Sequence, residues 1–585
     1  MTPTPEQLHI IELARQGGSL KVNAFAGTGK TTTLGLLADA HPAKKVLYLA
    51  FNKDIATDAG DKMGPKVLSQ TMHSAAYRAM KPNRDRLNAR MSGSWVAQKF
   101  GLTEIRIAGK SITTALQGAM VLTTLIRFCN SVDLEPTAHH VPGMAAVFDH
   151  IPKELLSAGR EWAEVTSRVS TAARSLWAEQ ICPRGSVPIT HDTYLKMWAL
   201  SEPQIKTDLI MFDEAQDASP VFIGLLNKQQ APVVWVGDRH QQIYGWRGAV
   251  DALANVSVNH EGHLTKSFRF GENVASVANA LLSHLGERMP LIGAGGDSKS
   301  QTMATLCRTN AGAIGHFMAA GGDVELAGAQ QLGHTLRDLE SLIDGNPRGA
   351  FALFDSYGDL LEHAENGAGQ ELQPIVKAIE NYGIQQIRDK VDRSQRQRGG
   401  HLHTISTCHK AKGREWGSVH ITDDWPTEKS GDPKLSEDEA RLLYVAVTRA
   451  QRDLDTSAIA PWLKLVGHNA ADADTPASAN AVQPEIITTA TPAQRPKIQG
   501  YNKFRDGPYS EFQKQAEENP EPVVKSPQDT RKPKKPVSTN ADRQARFSES
   551  QRAVGRRSRK LWATDSEAEK VRAYLEKLRG GAHEP

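Results

Sequence analysis

The chain has 585 residues, 39% of them hydrophobic and 23% charged, with a formal net charge of +4. That length allows several domains at roughly 100–200 residues each, and the apolar share is enough to bury real cores. No run of eighteen apolar residues is present, so no membrane span is expected, and Met1 to Glu6 lacks the basic start and apolar stretch of a signal peptide.

The first strong signal lies close to the N-terminus. Leu20 to Phe25 reads as a short strand, Gly27-Thr28-Gly29-Lys30-Thr31 follows, and an apolar helix opens around Thr32 to Leu37. Strand, glycine-rich loop, lysine, hydroxyl residue and helix make a phosphate cradle: backbone N–H groups point inward and the helix N-terminus adds positive potential. Lys30 is placed to reach the β- and γ-phosphates of ATP and Thr31 to ligate Mg2+. The strict eight-residue pattern wants Gly where this chain has Ala24.

Further along, Asp208 to Phe212 is a buried-strand run that ends in Asp213-Glu214-Ala215-Gln216-Asp217. Such a strand delivers carboxylates to the carboxyl edge of a parallel sheet, beside the phosphate loop. Asp213 is expected to hold Mg2+, and Glu214 to orient or deprotonate the attacking water.

The four cysteines, Cys129, Cys182, Cys307 and Cys408, show no paired metal spacing and read as buried free thiols in a reducing compartment. The C-terminal part carries the charge. From Gly467 onward there are 21 Lys and Arg against 16 Asp and Glu, and between Arg531 and Lys560 there are 11 against two. From about Ala470 to Ser558 apolar clusters are few, so disorder is expected. A short helix follows, capped at Thr564, Asp565 or Ser566, with Val571, Tyr574, Leu575 and Leu578 at helical spacing. The basic runs Arg531 to Pro536 and Arg556 to Lys560 fit a solvated linker or a nuclear signal, and the reading favoured here is an electrostatic tether to a nucleic-acid backbone.

The acidic run resembles the nucleotide-hydrolysis motif of superfamily 1 helicases of the UvrD/Rep type, and further motifs follow in that family's order. Gln7 lies where the family has an adenine-reading glutamine. Ala50 to Lys53 resembles motif Ia and Thr71 to Ser74 motif Ib. Val236 to Ala249 is similar to motif III, Ser267 to Arg269 to motif IV, Thr407 to Trp416 to motif V, and Leu443 to Ala450 to motif VI. The wording of Asn23 to Lys30, His240 to Tyr244 and Ser267 to Gly271 is similar to the F-box DNA helicase branch. The motor begins almost at the N-terminus, so a prokaryotic or phage member without the F-box is expected, working in the cytoplasm of the cell or infected host.

By position, the resemblance implies that Ala26, Gly27, Thr28, Gly29, Lys30, Thr31 and Thr32 hold the nucleotide. It makes Gln241 the γ-phosphate sensor, and Arg269 and Arg449 the arginines on the transferring phosphoryl group. Phe268 would stack on adenine, and Glu415 would help hold the nucleotide. It implies that Phe51, His73, Tyr244, Trp246, Arg247 and His409 touch DNA. Single strands bind to aromatic platforms, each stacked base being worth ~1–3 kcal/mol.

The expected fold class is α/β: two RecA-like P-loop motor domains, mainly helical insertions and a disordered basic tail. Residues 1–75 and 196–262 would form the first motor and 76–195 its helical insertion. Residues 263–310 and 385–466 would form the second motor, with 311–384 as a small insertion and 467–585 as the tail. The implied function is ATP- and Mg2+-dependent 3′-to-5′ movement on single-stranded DNA and at single-strand/duplex junctions, by a monomer, in replication, recombination or repair. An ATPase that clears recombinase or other proteins from single strands with little unwinding would carry the same motifs.

Overall fold

The structure, a computed structural model, describes residues 2–468 except 51, 90, 108–109, 145–158, 183, 246–250, 347–350, 352–355, 359, 362–372, 397–401 and 429. The expected tail from 469 on, and with it the C-terminal helix, lies outside the described residues, as do Phe51, Trp246 and Arg247.

The chain begins with the helix Pro5–Arg15, started by a capping box between Thr4 and Gln7 with Pro5 at its first turn. Three strand–helix units follow. Strands β1 (Leu20–Ala24), β2 (Val46–Ala50) and β3 (Val67–Thr71) lead into helices Lys30–Ala40, Lys53–Lys62 and Met72–Met80. The chain then leaves the sheet for a helical segment. It comprises Arg84–Asn88, Gly93–Lys99, Thr114–Asn130, Gly159–Ile181 and His191–Leu200, with one small antiparallel hairpin of β4 (Ile105–Ile107) and β5 (Lys110–Ile112). Much of this segment packs around a core of its own that includes Val121, Phe128, Val169 and Trp177.

β6 (Leu209–Phe212), β7 (Val233–Gly237) and β8 (His260–Leu264) complete a six-stranded parallel sheet in the order β3-β2-β6-β7-β1-β8. Helices cover both faces, which is why β2, β6 and β7 read as unbroken apolar runs rather than as an alternation. Tyr48, Met211 and Val234 go to one core, with the helices Pro5–Arg15 and Lys30–Ala40. Leu49, Phe212 and Trp235 go to the other, with Met72, Tyr194 and Trp198. Parallel strands end together, so β1, β6 and β7 bring the phosphate loop, the acidic run and the Gly237-Asp238 turn to one edge.

A short pair, β9 (Lys266–Ser267) and β10 (Ile292–Gly293), leads out of the first sheet. The second sheet is also parallel, in the order β12-β13-β11-β14-β15, from β11 (Met303–Cys307), β12 (Val324–Leu326), β13 (His403–Thr407), β14 (Trp416–Ile421) and β15 (Ala450–Asp455). Residues 311–384, expected as a small insertion, contribute β12, which pairs with β13. The helices Asn310–Ala319, Ala329–Ile343 and Gln373–Tyr382 share a core with Cys307 and Ile405 of the sheet. A three-residue edge strand leaves almost no pattern to read.

Cys129, Cys307 and Cys408 are buried, as expected of thiols in cores, but Cys182 is exposed. It sits just past the end of the helix Gly159–Ile181, where Arg86 takes its carbonyl. No described helix is long and apolar enough to cross a membrane.

Candidate active site

The phosphate loop is shaped by two left-handed glycines, Gly27 (φ 74°) and Gly29 (φ 77°). At Gly27 a side chain is barred twice over, since its Cβ would come within 2.4 Å of Ser267 Oγ. That close approach is used: Phe268 N donates to Gly27 O at 2.9 Å, stitching the start of the second body onto the loop. Thr28 Oγ1 donates to Phe25 O at 2.9 Å, and Gly29 caps the helix Lys30–Ala40 with its N-terminus open toward the loop.

Gln7, buried at 5% exposure, donates from Nε2 to Thr33 Oγ1 at 3.0 Å and accepts from Thr4 N at Oε1 at 3.0 Å. A glutamine amide has two N–H donors and two acceptor lone pairs. One of each is left for a base edge. Phe268 is 48% exposed although large and apolar, and a Cβ on Gly29 would lie 3.9 Å from its ring. Thr31 and Thr32 open the helix beside it.

Asp213 and Glu214 stand at the end of β6. Asp213 is buried and accepts from Tyr48 Oη at 2.6 Å and from Glu214 N at 2.9 Å. Burial, and then the charge of Glu214, push its carboxyl up from the usual range. Glu214 is only partly buried, and the charges of Lys30, Lys412 and Arg449 outweigh its desolvation, holding it low and ionised. Its backbone is left-handed at φ 54°, which costs a non-glycine residue of order 1 kcal/mol and persists only where neighbours enforce it. Gln216 is one of those neighbours, donating from Nε2 to Glu214 Oε2 at 2.5 Å.

Oxygen donors from a hydroxyl and a carboxylate suit Mg2+, and each Asp213 oxygen keeps a lone pair after its one hydrogen bond. Thr31 and Asp213 are therefore the residues that would hold the ion, whose charge would offset that of the phosphates. The expected effect of Glu214→Gln is intact Mg-ATP binding with turnover lowered by about 10²-fold or more, since the amide keeps the shape but takes no proton. Equilibrium binding of a non-hydrolysable ATP analogue beside steady-state hydrolysis checks this, and a collapse of binding instead would make Glu214 a binding residue.

The second sheet faces the same point. Arg449, 2% exposed, donates from Nη2 to Gln241 Oε1 at 3.1 Å, and Gln241 Nε2 donates to Asp238 Oδ2 at 2.8 Å. Arg269 Nη1 donates to Thr448 O at 2.9 Å, beside Arg449. Burial, and then the nearby Arg269 charge, draw Arg449 below the usual arginine range. Two guanidinium groups brought to neighbouring residues would suit a polyanion.

Glu415 Oε2 lies 2.6 Å from Arg269 Nε, and its Oε1 accepts from Gln451 Nε2 at 2.9 Å, so it pairs with one of the two arginines. Ala26 N–H donates to Tyr444 Oη at 3.2 Å.

The sequence reading passed over Lys412, Asp217, Asp238, Gln216 and Tyr444 as site residues. Lys412 makes an ion pair with buried Asp217, donates to Gln241 O at 2.7 Å, and lies 5.3 Å from the Tyr244 ring centre. Tyr244 Oη in turn donates to His409 O at 3.3 Å. One lysine thus links the hydrolysis site to two of the residues expected to touch DNA. The signal was there in the sequence: each of these residues lies inside a motif already recognised. His73 is held elsewhere, 3.2 Å from Asp192 and edge-on to Phe222.

Residues 4–257 match the UvrD/REP helicase N-terminal domain family, and residues 402–454 match the UvrD-like helicase C-terminal domain family. The chain belongs to the UvrD-type superfamily 1 helicases. It is 29% identical to F-box DNA helicase protein 1 of Schizosaccharomyces pombe, over 77% of this chain and 57% of that protein. It is 30% identical to F-box DNA helicase 1 of Gallus gallus, over 77% of this chain and 48% of that one. The ATP-dependent DNA helicase PcrA of Leuconostoc citreum is 23% identical over 47% of this chain and 38% of its own length. The chain spans about half the length of the F-box relatives it matches.

Among the described residues, Asp133, His139 and His140 form a cluster of possible metal ligands away from this site. Its hydrogen bonds argue against a metal. His140 Nδ1 accepts from Thr137 N at 3.1 Å, so the neutral ring carries its proton on Nε2, facing Asp133 Oδ2 at 3.0 Å. A ligating nitrogen has to present a lone pair there instead.

Proposed function

We infer that this chain is an ATP-dependent helicase that moves 3′-to-5′ along single-stranded DNA. The observation that carries the reading is the hydrogen-bonded path from Gln241 of the first body to Arg449 of the second, with Lys412 joining the same place to Tyr244 and His409. A nucleotide between the two sheets would touch groups from both, so binding and hydrolysis would change how the bodies pack. Tyr244 and His409, two of the six residues expected to touch DNA, adjoin that same path. Helicase relatives support DNA as the track, and the motif III and VI wording supports the direction.

The test is unwinding of duplexes carrying a 3′ or a 5′ single-stranded tail, with ATP and Mg2+. Unwinding from the 3′ tail is expected. Preference for the 5′ tail refutes the direction. DNA-stimulated hydrolysis without strand separation from either tail favours clearance of bound protein, which displacement of a recombinase from single strands would then show.

A further inference from the structure

We propose that Tyr444 is a positioning residue for ATP hydrolysis, tying the phosphate loop of the first body to Gln241 and Arg449 through its hydroxyl. The inference rests on the reading of Gln241 and Arg449 as groups that act on the terminal phosphate.

Tyr444 belongs to the helix Glu437–Val447 of the second body and is fully buried, in a core that also takes in Phe25, Ala26 and Ile243 of the first. A phenol offers one donor and two acceptor lone pairs. Here the donor goes to Asp238 Oδ2 at 2.9 Å, and one lone pair accepts from Ala26 N at 3.2 Å. Both partners lie on the opposite body. Burial, and then the Asp238 charge, push the hydroxyl well above its usual range, so it remains a donor at any working pH.

Asp238 is where the two lobes are read together. Its Oδ2 takes Tyr444 Oη and Gln241 Nε2, its Oδ1 takes His240 N, and its own N donates to Gln216 Oε1 at 3.0 Å. Gln216 is the residue that holds Glu214. Gly237 keeps this path open, because a Cβ there would fall 2.3 Å from Gln216 Oε1. On the other side, Thr448 Oγ1 donates to Tyr444 O at 2.7 Å, and Arg449 follows directly in the chain. Any shift of Tyr444 therefore moves the base of Arg449 and the anchor of Gln241 together.

The hydroxyl does what core packing alone would not require. A phenylalanine would fill the same space and leave both Ala26 N–H and one Asp238 lone pair unmet in a dry site. Gln241 would then be fixed by a carboxylate that is itself less fixed. Ground-state ATP binding depends instead on Lys30 and the remaining loop N–H groups and should change little.

The experiment compares wild type, Tyr444→Phe, Gln241→Ala and the double variant in DNA-saturated ATP hydrolysis. Tyr444→Phe is expected to lower kcat by roughly tenfold, about 1.4 kcal/mol in barrier, with KM for ATP within about threefold of wild type. In the Gln241→Ala background the same substitution is expected to cost clearly less than in wild type, because the route through Gln241 is already cut. Turnover of Tyr444→Phe within twofold of wild type overturns the proposal. So does a double variant whose losses multiply, which marks a general packing effect. A silent Gln241→Ala sinks the sensor role and this route with it, whereas a crippled Gln241→Ala beside an unaffected Tyr444→Phe sinks only the role of the tyrosine.

Discussion

Lys30→Ala should bring DNA-stimulated ATP hydrolysis below about a thousandth of wild type. Lys30 Nζ sits 3.5 Å from Ala24 O, at the mouth of the loop, and its charge lowers both Asp213 and Glu214. Its removal therefore acts twice. The terminal phosphates would lose a fixed cation, and the two carboxylates lose a shared one. With that field gone both carboxylates move up in pKa, and the ionised form of Glu214 that should accept a proton is less favoured. DNA binding without nucleotide should survive, because Tyr244, His409 and His73 lie on other elements. Hydrolysis measured with saturating oligonucleotide, beside fluorescence anisotropy of the same oligonucleotide without ATP, separates the two. Near-normal turnover would remove Lys30 from the phosphate site.

What could be read beforehand depended on how local the cause was. The strand, loop and helix around Lys30 are set by neighbours in sequence: β1 ends at Ala24, one residue short of the strand read from the sequence, and the helix starts at Lys30, two residues before the one read. β6 was legible because both its faces are buried, leaving an unbroken apolar run before Asp213. β12 was not, because three residues carry no period and only pairing with β13 makes them a strand. The site shows the same division. Residue types with a known chemistry stood out, but the contacts that orient them are long-range. Tyr444 meets Ala26 across more than four hundred residues of chain. Glu415 looked like a nucleotide contact from its position alone, and only the fold reveals Arg269 beside it.

That pairing bears on how the arginines work. Arg269 has an exposed partner in Glu415, whereas Arg449 donates to neutral acceptors: Val445 O at 2.9 Å, Arg414 O at 3.3 Å, Gln241 Oε1 and Thr448 Oγ1. A buried cation held by neutral oxygens keeps most of its charge available, and the transition state of phosphoryl transfer supplies negative charge on three oxygens. Arg449→Ala should therefore lower kcat by about 10³-fold or more. Arg449→Lys should recover less than about tenfold of that, because an ammonium keeps the charge but cannot span four acceptors as the planar fork does. Binding of a non-hydrolysable ATP analogue should fall far less than turnover in both variants. Because Arg449 is buried, a thermal melt of each variant has to accompany the kinetics, and the lysine form keeps enough of the stem to serve as the folded control. An Arg449→Ala protein that is folded and hydrolyses ATP within tenfold of wild type would show that the charge is not used in the reaction, and the path from Gln241 to Arg449 would then be a structural seam between the two bodies.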